Sequence, residues 1–208
     1  TGSGKSTLIN LIPRYYDVTK GSVKVDGVDV RDMTQKELRD KLGYVPQKGV
    51  LFSGTIDSNI RYGKPEITDA QVKEAAEVAQ ATEFIDTKPE KYESPVSQGG
   101  TNVSGGQKQR LSIARAIAKD PEIFIFDDSF SALDFKTDSQ LRKALKEYTK
   151  DATTVIVAQR ISTILGADQI IVLDDGHMAG IGTHKELMAN CEVYQQIARS
   201  QLSEEELA

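Results

Sequence analysis

The chain has 208 residues, of which 38% are hydrophobic and 27% charged, so it is long enough for one domain with a substantial core. Its formal net charge of -5 and its scattered Lys and Arg residues argue against nucleic acid as a partner. No apolar run approaches the roughly 18 residues that span a bilayer, so we expect any membrane-spanning part to lie outside this sequence. Cys191 is the single cysteine, which excludes an intrachain disulfide, and we expect it to be a small packing residue on a C-terminal helix.

The first seven residues, TGSGKST, match the second half of a phosphate-binding loop. In this motif glycines let backbone amides surround the phosphates, Lys5 reaches the outer phosphates, and the Ser6 hydroxyl meets Mg²⁺. The residues expected to bind nucleotide here are Gly2, Ser3, Gly4, Lys5, Ser6 and Thr7. The first glycine of the motif would precede Thr1, so we expect the sequence to be a piece of a longer chain, cut inside the loop.

A helix is predicted after the phosphate loop, over residues 6–16, and Pro13 leaves its end open. The apolar residues expected to face the core from it are Leu8, Ile9, Leu11 and Ile12. The Asp-Gly pair at 26–27, between two short apolar runs, indicates an antiparallel hairpin at a sheet edge. Thr34, with Glu37 three positions later, indicates a capped helix over 34–42.

The stretch LFSGTIDSNI, residues 51–60, places exposed-looking apolar residues beside a helix start at Thr55 or Asp57. Packing within its own lobe is the plainer interpretation of this stretch. A docking surface for another domain is the interpretation we favour.

Helical patterns dominate from 68 to 119, and a loop rich in Pro, Gly, Ser and Gln interrupts them at 89–101. After Asp134 we predict, in order, a helix at 136–148, a strand at 153–158, a short helix near 161, a strand at 169–173, a turn at 174–176 into a strand at 178–181, and amphipathic helices from 183 and 193. Strands that alternate with helices predict a parallel sheet.

Two further motifs point to phosphate and its metal. Ser104–Gln107 opens a helix with two glycines, and a helix N-terminus offers unpaired amide donors and a positive dipole to an anion. The apolar run 123–126 ends in Asp127 and Asp128, which places two carboxylates at the carboxyl edge of a buried sheet. Open α/β folds bind their ligands at this edge.

Together these motifs resemble those of the ATP-binding cassette (ABC) family over essentially the whole chain. SGGQ at 104–107 is similar to its signature motif, IFIFDD at 123–128 to its Walker B strand, residues 131–134 to its D-loop, and Gln47 to its Q-loop glutamine. The resemblance implies an α/β P-loop NTPase fold with a parallel-sheet core (about 1–53 and 120–208), an antiparallel edge ribbon, and an inserted helical lobe (about 54–119).

The resemblance also implies the roles of individual residues toward ATP and Mg²⁺. The nucleotide-binding set is the phosphate loop together with Ser104, Gly105, Gly106, Gln107 and Asp134. The Mg²⁺ ligands are Ser6, Gln47 and Asp127, and the catalytic residues are Gln47, Asp128 and Gln159.

The sequence departs from the family at two of these positions. Asp128 stands where a glutamate is expected as the general base, and it is one methylene shorter. Gln159 stands where a histidine is expected to hold the γ-phosphate. Neither His177 nor His184 is placed to substitute, and we expect both to be plain surface residues. Two departures predict a site that binds ATP but hydrolyses it slowly, although weak turnover by Asp128 stays an alternative.

The family's head-to-tail dimers imply a partner for this chain. Each ATP would lie between the phosphate loop of one subunit and the signature motif of the other. We therefore expect a heterodimer in which this chain contributes a degenerate site and an intact signature motif. The 51–60 stretch resembles the corresponding stretch of exporter-type cassettes, which follow a transmembrane domain in the same chain. This resemblance implies that the domain acts at the cytoplasmic face of the cell membrane. An importer subunit and a non-hydrolysing regulatory ATP clamp are the alternatives.

Overall fold

The computed structural model describes residues 2–203, which belong to two compact units. Among the described residues, one unit comprises 2–23 together with 156–203, and the other comprises 24–155. No helix among the described residues is long and apolar enough to cross a membrane. The division into a core and a helical lobe at 54–119 stays a prediction.

The helices are α1 Lys5–Ile9, α2 Gln35–Asp40, α3 Ile56–Ile60, α4 Asp69–Val78, α5 Thr82–Asp86, α6 Gly105–Ala118, α7 Phe135–Tyr148, α8 His184–Asn190 and α9 Glu192–Gln201. The strands are β1 Lys24–Val25, β2 Val28–Asp29, β3 Leu42–Val45, β4 Gly54–Thr55, β5 Pro95–Val96, β6 Ile123–Asp127, β7 Thr153–Val157, β8 Ile170–Asp174 and β9 His177–Gly182. Short 3₁₀ turns lie at Val30–Asp32, Lys91–Glu93, Gln98–Gly100 and Ile161–Thr163.

One sheet has the strand order β3-β6-β7, and β3 and β6 lie wholly within the unit of residues 24–155. The β3 and β6 strands run parallel, from the pair Leu42 and Ile123 to the pair Val45 and Phe126. Their side chains are almost entirely buried, as a sheet covered on both faces requires. The predicted α/β fold with a parallel sheet is confirmed, and both strands end at the same edge.

The predicted hairpin at 26–27 is confirmed by β1 and β2, which pair antiparallel, but these strands form a two-stranded sheet of their own and do not extend the parallel sheet. Asp26 and Gly27 have φ values of 50° and 80°, the left-handed pair that a tight hairpin turn needs. Predicted helix starts are also confirmed. Thr34 and Glu37 form a capping box on α2, and Thr55 is the N-cap of α3.

The first helix is shorter than predicted: α1 ends at Ile9, whereas the sequence predicted a helix over 6–16. Pro13 has no amide to donate to the carbonyl of Ile9, and its ring would clash with that carbonyl in a continuing helix. The chain therefore changes to three-residue turns, in which Ile12 N–H donates to Ile9 O at 3.1 Å. Leu8 was expected in the core, yet it is 45% exposed.

Two further expectations are corrected in the larger unit. The predicted loop at 89–101 contains β5, which pairs with β4 and so closes a small antiparallel ribbon. The apolar residues that looked exposed in the 51–60 stretch are buried; they are Leu51, Ile56 and Ile60. The exposed apolar side chains beside them are Val50 and Tyr62.

The unit that contains the C-terminal helices has its own small core. The β8 and β9 strands pair antiparallel, and α8 and α9 contact them. The cluster comprises Ile161, Ile170, Val172, Leu187, Cys191, Tyr194, Ala198 and Leu202. Cys191 is buried at the junction of α8 and α9, where an added Cβ on Gly180 would come within 2.9 Å of its Sγ. His184 is not a plain surface residue, because it is half-buried with Nδ1 2.8 Å from the Tyr194 hydroxyl.

Candidate nucleotide site

The phosphate loop leads directly into α1. Gly2 and Gly4 have φ values of 86° and 91°, which L-residues rarely adopt, and no atom lies within 4 Å of a Cβ added at either. Both glycines therefore have the left-handed conformation that a tight loop can require. The Lys5 ammonium folds across the loop and donates to Ser3 Oγ at 3.0 Å.

Asp127 and Asp128 stand at the carboxyl end of β6, as predicted, and both are largely buried. The Tyr44 hydroxyl, from the adjacent strand, donates to Asp127 Oδ2 over 3.4 Å. Ser129 is fully buried, and its hydroxyl donates to Val45 O at 2.9 Å, which joins the ends of the two strands. The two carboxylates therefore lie at an edge of the sheet where a hydrogen bond connects the ends of β3 and β6.

Gln47 reaches the same edge from the loop that follows β3. Its Nε2 donates to Asp128 Oδ2 at 3.1 Å. Asp128 has a φ of 48°, a left-handed conformation that aspartate tolerates better than most residues. The Ser131 hydroxyl donates to the Asp128 carbonyl at 3.1 Å and supports this turn. The structure therefore brings Gln47, Asp127 and Asp128 together.

Ser104 and Gln107 form a capping box at the start of α6. Ser104 Oγ accepts from Gln107 N–H at 3.2 Å, and Gln107 Oε1 accepts from Ser104 N–H at 3.1 Å. A hydroxyl that accepts in this way can still donate its proton to an anion. An added Cβ on Gly105 would meet no atom within 4 Å, so this helix start is open on that side.

Asp134 caps α7, since its Oδ1 accepts from Thr137 N–H at 3.0 Å. That hydrogen bond holds the pKa of the Asp134 carboxyl below its usual range. The preceding residues contact the signature helix: a Cβ on Gly106 would lie 3.5 Å from Ala132 O. Residues 104–107 and 131–134 are therefore neighbours in the structure.

Gln159 belongs to the other unit, as does the phosphate loop. It follows β7 and is exposed. Its backbone carbonyl accepts from Gln201 Nε2 at 2.9 Å, while Gln201 Oε1 accepts from Ile161 N–H at 2.8 Å. Gln201, at the end of α9, therefore holds the loop that carries Gln159.

Sequence reasoning missed three supporting residues, namely Gln109, Arg115 and Gln201. Arg115 donates to Asn59 O at 2.8 Å and to Val50 O at 2.9 Å, and burial lowers its pKa to about 10. It lies under the stacked rings of Phe52 and Tyr62, whose centroids are 4.1 Å apart. The positions of Gln109 and Arg115 along α6 could be predicted from the sequence. Their hydrogen-bond partners could not, because these lie more than 50 residues away.

The side chains present suit ATP and Mg²⁺. The glycines of the phosphate loop have positive φ values, and Lys5 supplies a positive charge beside them. The residues predicted to bind the cation carry oxygen donors, with Gln47 and Asp127 in the unit of residues 24–155 and Ser6 in the other unit. These are the hard oxygen donors that Mg²⁺ prefers.

The parallel sheet, the phosphate loop and the carboxylates at the strand ends define the class of P-loop NTPases. The family model described as ABC transporter matches residues 1–131. The chain therefore belongs to the ABC transporter family.

Relatives agree with this assignment. An uncharacterized ABC transporter ATP-binding protein of Mycobacterium tuberculosis is 50% identical over 204 residues, which is 97% of this chain and 35% of that protein. A putative multidrug export ATP-binding/permease protein of Staphylococcus aureus is 48% identical over 197 residues, or 95% of this chain and 34% of the relative. The chain thus spans about a third of the length of these relatives.

Among solved structures, a bacterial Atm1-family ABC exporter with ATP bound superimposes with a TM-score of 0.92 and 40% sequence identity. The match covers 97% of this chain and 35% of that exporter.

Proposed function

We propose that this chain is the nucleotide-binding domain of an ATP-driven exporter, acting at the cytoplasmic face of the cell membrane. The observation that carries the proposal is the open, capped start of α6 at Ser104, on the same chain as an intact GKST loop. The names of the relatives, which include multidrug export and permease, support export and a transmembrane domain in the same full-length chain. The substrate is set by that transmembrane domain.

In this proposal Lys5 and the loop amides bind the phosphates, while Ser6, Gln47 and Asp127 supply oxygen ligands to Mg²⁺. When bound, Mg²⁺ neutralises charge on the phosphates. Hydrolysis then needs a positioned water and little covalent help from the protein. Asp128 and Gln159 are the residues proposed to act on the water and the γ-phosphate.

We further propose that the chain's own site is slow. Asp128 is shorter than the expected glutamate, and its carboxylate already accepts a hydrogen bond from Gln47. Loss of a general base costs about 10²–10⁴-fold in rate. Gln159, an amide, offers no titratable group in place of the expected histidine.

A second ABC subunit completes the proposal. The signature residues Ser104–Gln107 would act on ATP bound by that subunit, whose own glutamate and histidine make its site competent. The partner is therefore a different chain, and the pair associates head to tail when ATP binds. A transmembrane domain would dock beside Val50 and Tyr62, which are an apolar and an aromatic side chain that the structure leaves exposed.

Two alanine variants in the full-length complex test the asymmetric assignment. Ser104→Ala is expected to abolish phosphate release, because the signature motif serves the competent site. Lys5→Ala is expected to reduce phosphate release only in part, because it weakens the slow site. Equal losses in the two variants would contradict the assignment.

A regulatory ATP clamp is the second candidate, favoured by the short Asp128 side chain. It predicts that the assembled complex binds ATP but releases no phosphate at saturating ATP. Measurable turnover that depends on Ser104 would exclude it.

A further inference from the structure

The loop after β3 lies directly against the backbone of α6. An added Cβ on Gly49 would stand 2.9 Å from Lys108 O and 2.8 Å from Ser112 Oγ, so a side chain there would have to displace helix backbone. Glycine is therefore the residue that permits this close approach. The loop and the helix form one packed surface within the unit of residues 24–155.

Gln109 joins the two elements from inside α6. It is 1% exposed, its Oε1 accepts from Gly49 N–H at 2.9 Å, and its Nε2 donates to Pro46 O at 3.1 Å. These two backbone groups flank Gln47 and Lys48. One buried side chain thus fixes both ends of the short segment that carries Gln47.

Gln47 itself is exposed, and its side chain extends to Asp128. Few neighbouring side chains restrain an exposed side chain, so its position depends mainly on its backbone. The position of the Gln47 side-chain amide therefore depends on the backbone of Pro46 and Gly49. Residues that orient a metal ligand from behind commonly change metal affinity by about 10–100-fold when they are removed. Gln109 orients Gln47 from behind in this way, through its hydrogen bonds to the backbone of Pro46 and Gly49.

We propose that Gln109 is a positioning residue for Gln47, which it holds in place to contact the metal and the Asp128 carboxylate. Because Gln109 stands on the helix that begins at Ser104, it also ties the segment that carries Gln47 to the signature helix. This inference rests on the proposed function, in which Gln47 is a Mg²⁺ ligand.

The test measures how much Mg²⁺ tightens ATP binding. Radiolabelled ATP is bound to the full-length chain by equilibrium dialysis, once with Mg²⁺ and once with EDTA, and the ratio of the two dissociation constants is the Mg²⁺ gain. Gln109→Met keeps the length of the side chain and removes both hydrogen bonds. We expect it to lower the gain about 10-fold, with less than about a twofold change in the dissociation constant measured in EDTA.

A double-mutant cycle separates positioning from general support of the fold. If Gln109 acts through Gln47, then Gln109→Met causes no further loss of the gain in a Gln47→Ala background. Losses that add in the double variant, or equal weakening with Mg²⁺ and with EDTA, would overturn the inference. Wild-type protein that fails to bind ATP, or that shows no Mg²⁺ gain, would instead refute the proposed function on which the inference rests.

Two control variants guard against misfolding. Ser112→Ala changes the same helix face beside Gly49, where the Ser112 hydroxyl is buried and has no hydrogen-bond partner among residues 2–203. It is expected to leave the Mg²⁺ gain unchanged.

Gln109→Glu keeps the acceptor for Gly49 N–H and loses the donor to Pro46 O. Its Mg²⁺ gain is therefore expected to lie between those of wild type and Gln109→Met. A Gln109→Glu variant equal to wild type would show that the Pro46 contact is dispensable.

Discussion

Two loops of this molecule carry a predicted site glutamine, and in each a second glutamine from a helix bridges the loop backbone. Gln109 spans the loop of Gln47, and Gln201 spans the loop of Gln159. Each bridge consists of one accepted and one donated hydrogen bond. They differ in burial, because Gln109 is 1% exposed within α6 whereas Gln201 is exposed at the end of α9.

The difference in burial decides how strongly each loop is held. Water can replace the hydrogen bonds of an exposed amide, but it cannot reach those of a buried one without disrupting the packing. The Gln47 loop is therefore fixed to a core helix, whereas the Gln159 loop is held at the surface. Three substitutions test this contrast, and a fourth tests an exposed helix cap; they follow in order of decreasing expected effect.

Gly49→Ala is expected to have the largest effect, because its Cβ would meet the Lys108 carbonyl and the Ser112 hydroxyl. Forcing the loop away from α6 should cost up to about 3 kcal/mol of the free energy of unfolding. Urea denaturation of this chain measures the loss. Gly166→Ala is the matched control, since no atom lies within 4 Å of its added Cβ and it is expected to be near neutral.

Gln109→Met is expected to lower the free energy of unfolding by about 2 kcal/mol, because it leaves Gly49 N–H and Pro46 O without their buried partner. The same urea denaturation, with Ser112→Ala beside it, measures the effect. A loss no larger than that of Ser112→Ala would show that the buried bridge does not hold the loop.

Gln201→Met is expected to change the free energy of unfolding by less than about 0.5 kcal/mol, since water can take over its bonds to Ile161 N–H and Gln159 O. Its effect should be local and visible as faster hydrogen exchange at the Ile161 amide. A global loss equal to that of Gln109→Met would contradict the contrast between the two bridges.

Asp134→Asn tests an exposed cap by its pH dependence. The folded pKa of Asp134 is lowered by the Thr137 amide, so the carboxylate stabilises the fold above its ordinary pKa, and this stabilisation is lost as pH falls through the lowered value. Wild type should therefore melt slightly above Asp134→Asn at neutral pH, and the difference should vanish in acid. A difference that persists at the lowest pH would mean that charge is not its source.

Features encoded by neighbouring residues were predictable from the sequence. The caps at Thr34, Thr55 and Ser104 depend on a partner three residues away, and the hairpin at 26–27 depends on the turn itself. A parallel sheet was expected from strands that alternate with helices, whereas the pairing of β3 with β6 became known only from the structure.

Features that depend on distant partners were not predictable. Gln109 looks like any polar residue in a helix, and only the folded chain shows that its partners lie 60 and 63 residues away. Leu51 and Ile56 looked exposed because their partners are distant in the sequence: Leu51 O accepts from Gly99 N–H, and Ile56 N–H donates to Ser94 O. The end of α1 could not be predicted, because a proline at position 13 can either kink a helix or end it. In the structure the helix ends at Ile9.

Phosphate release tests the central claim most directly. The full-length protein is expressed alone, shown to bind ATP, and then assayed with and without a second ABC subunit that carries the glutamate and the histidine. We predict ATP binding with little phosphate release by the chain alone, and strong release when the second subunit is added. Strong release by the chain alone would show that Asp128 and Gln159 suffice for hydrolysis, and it would contradict the account of a slow site completed by a different partner.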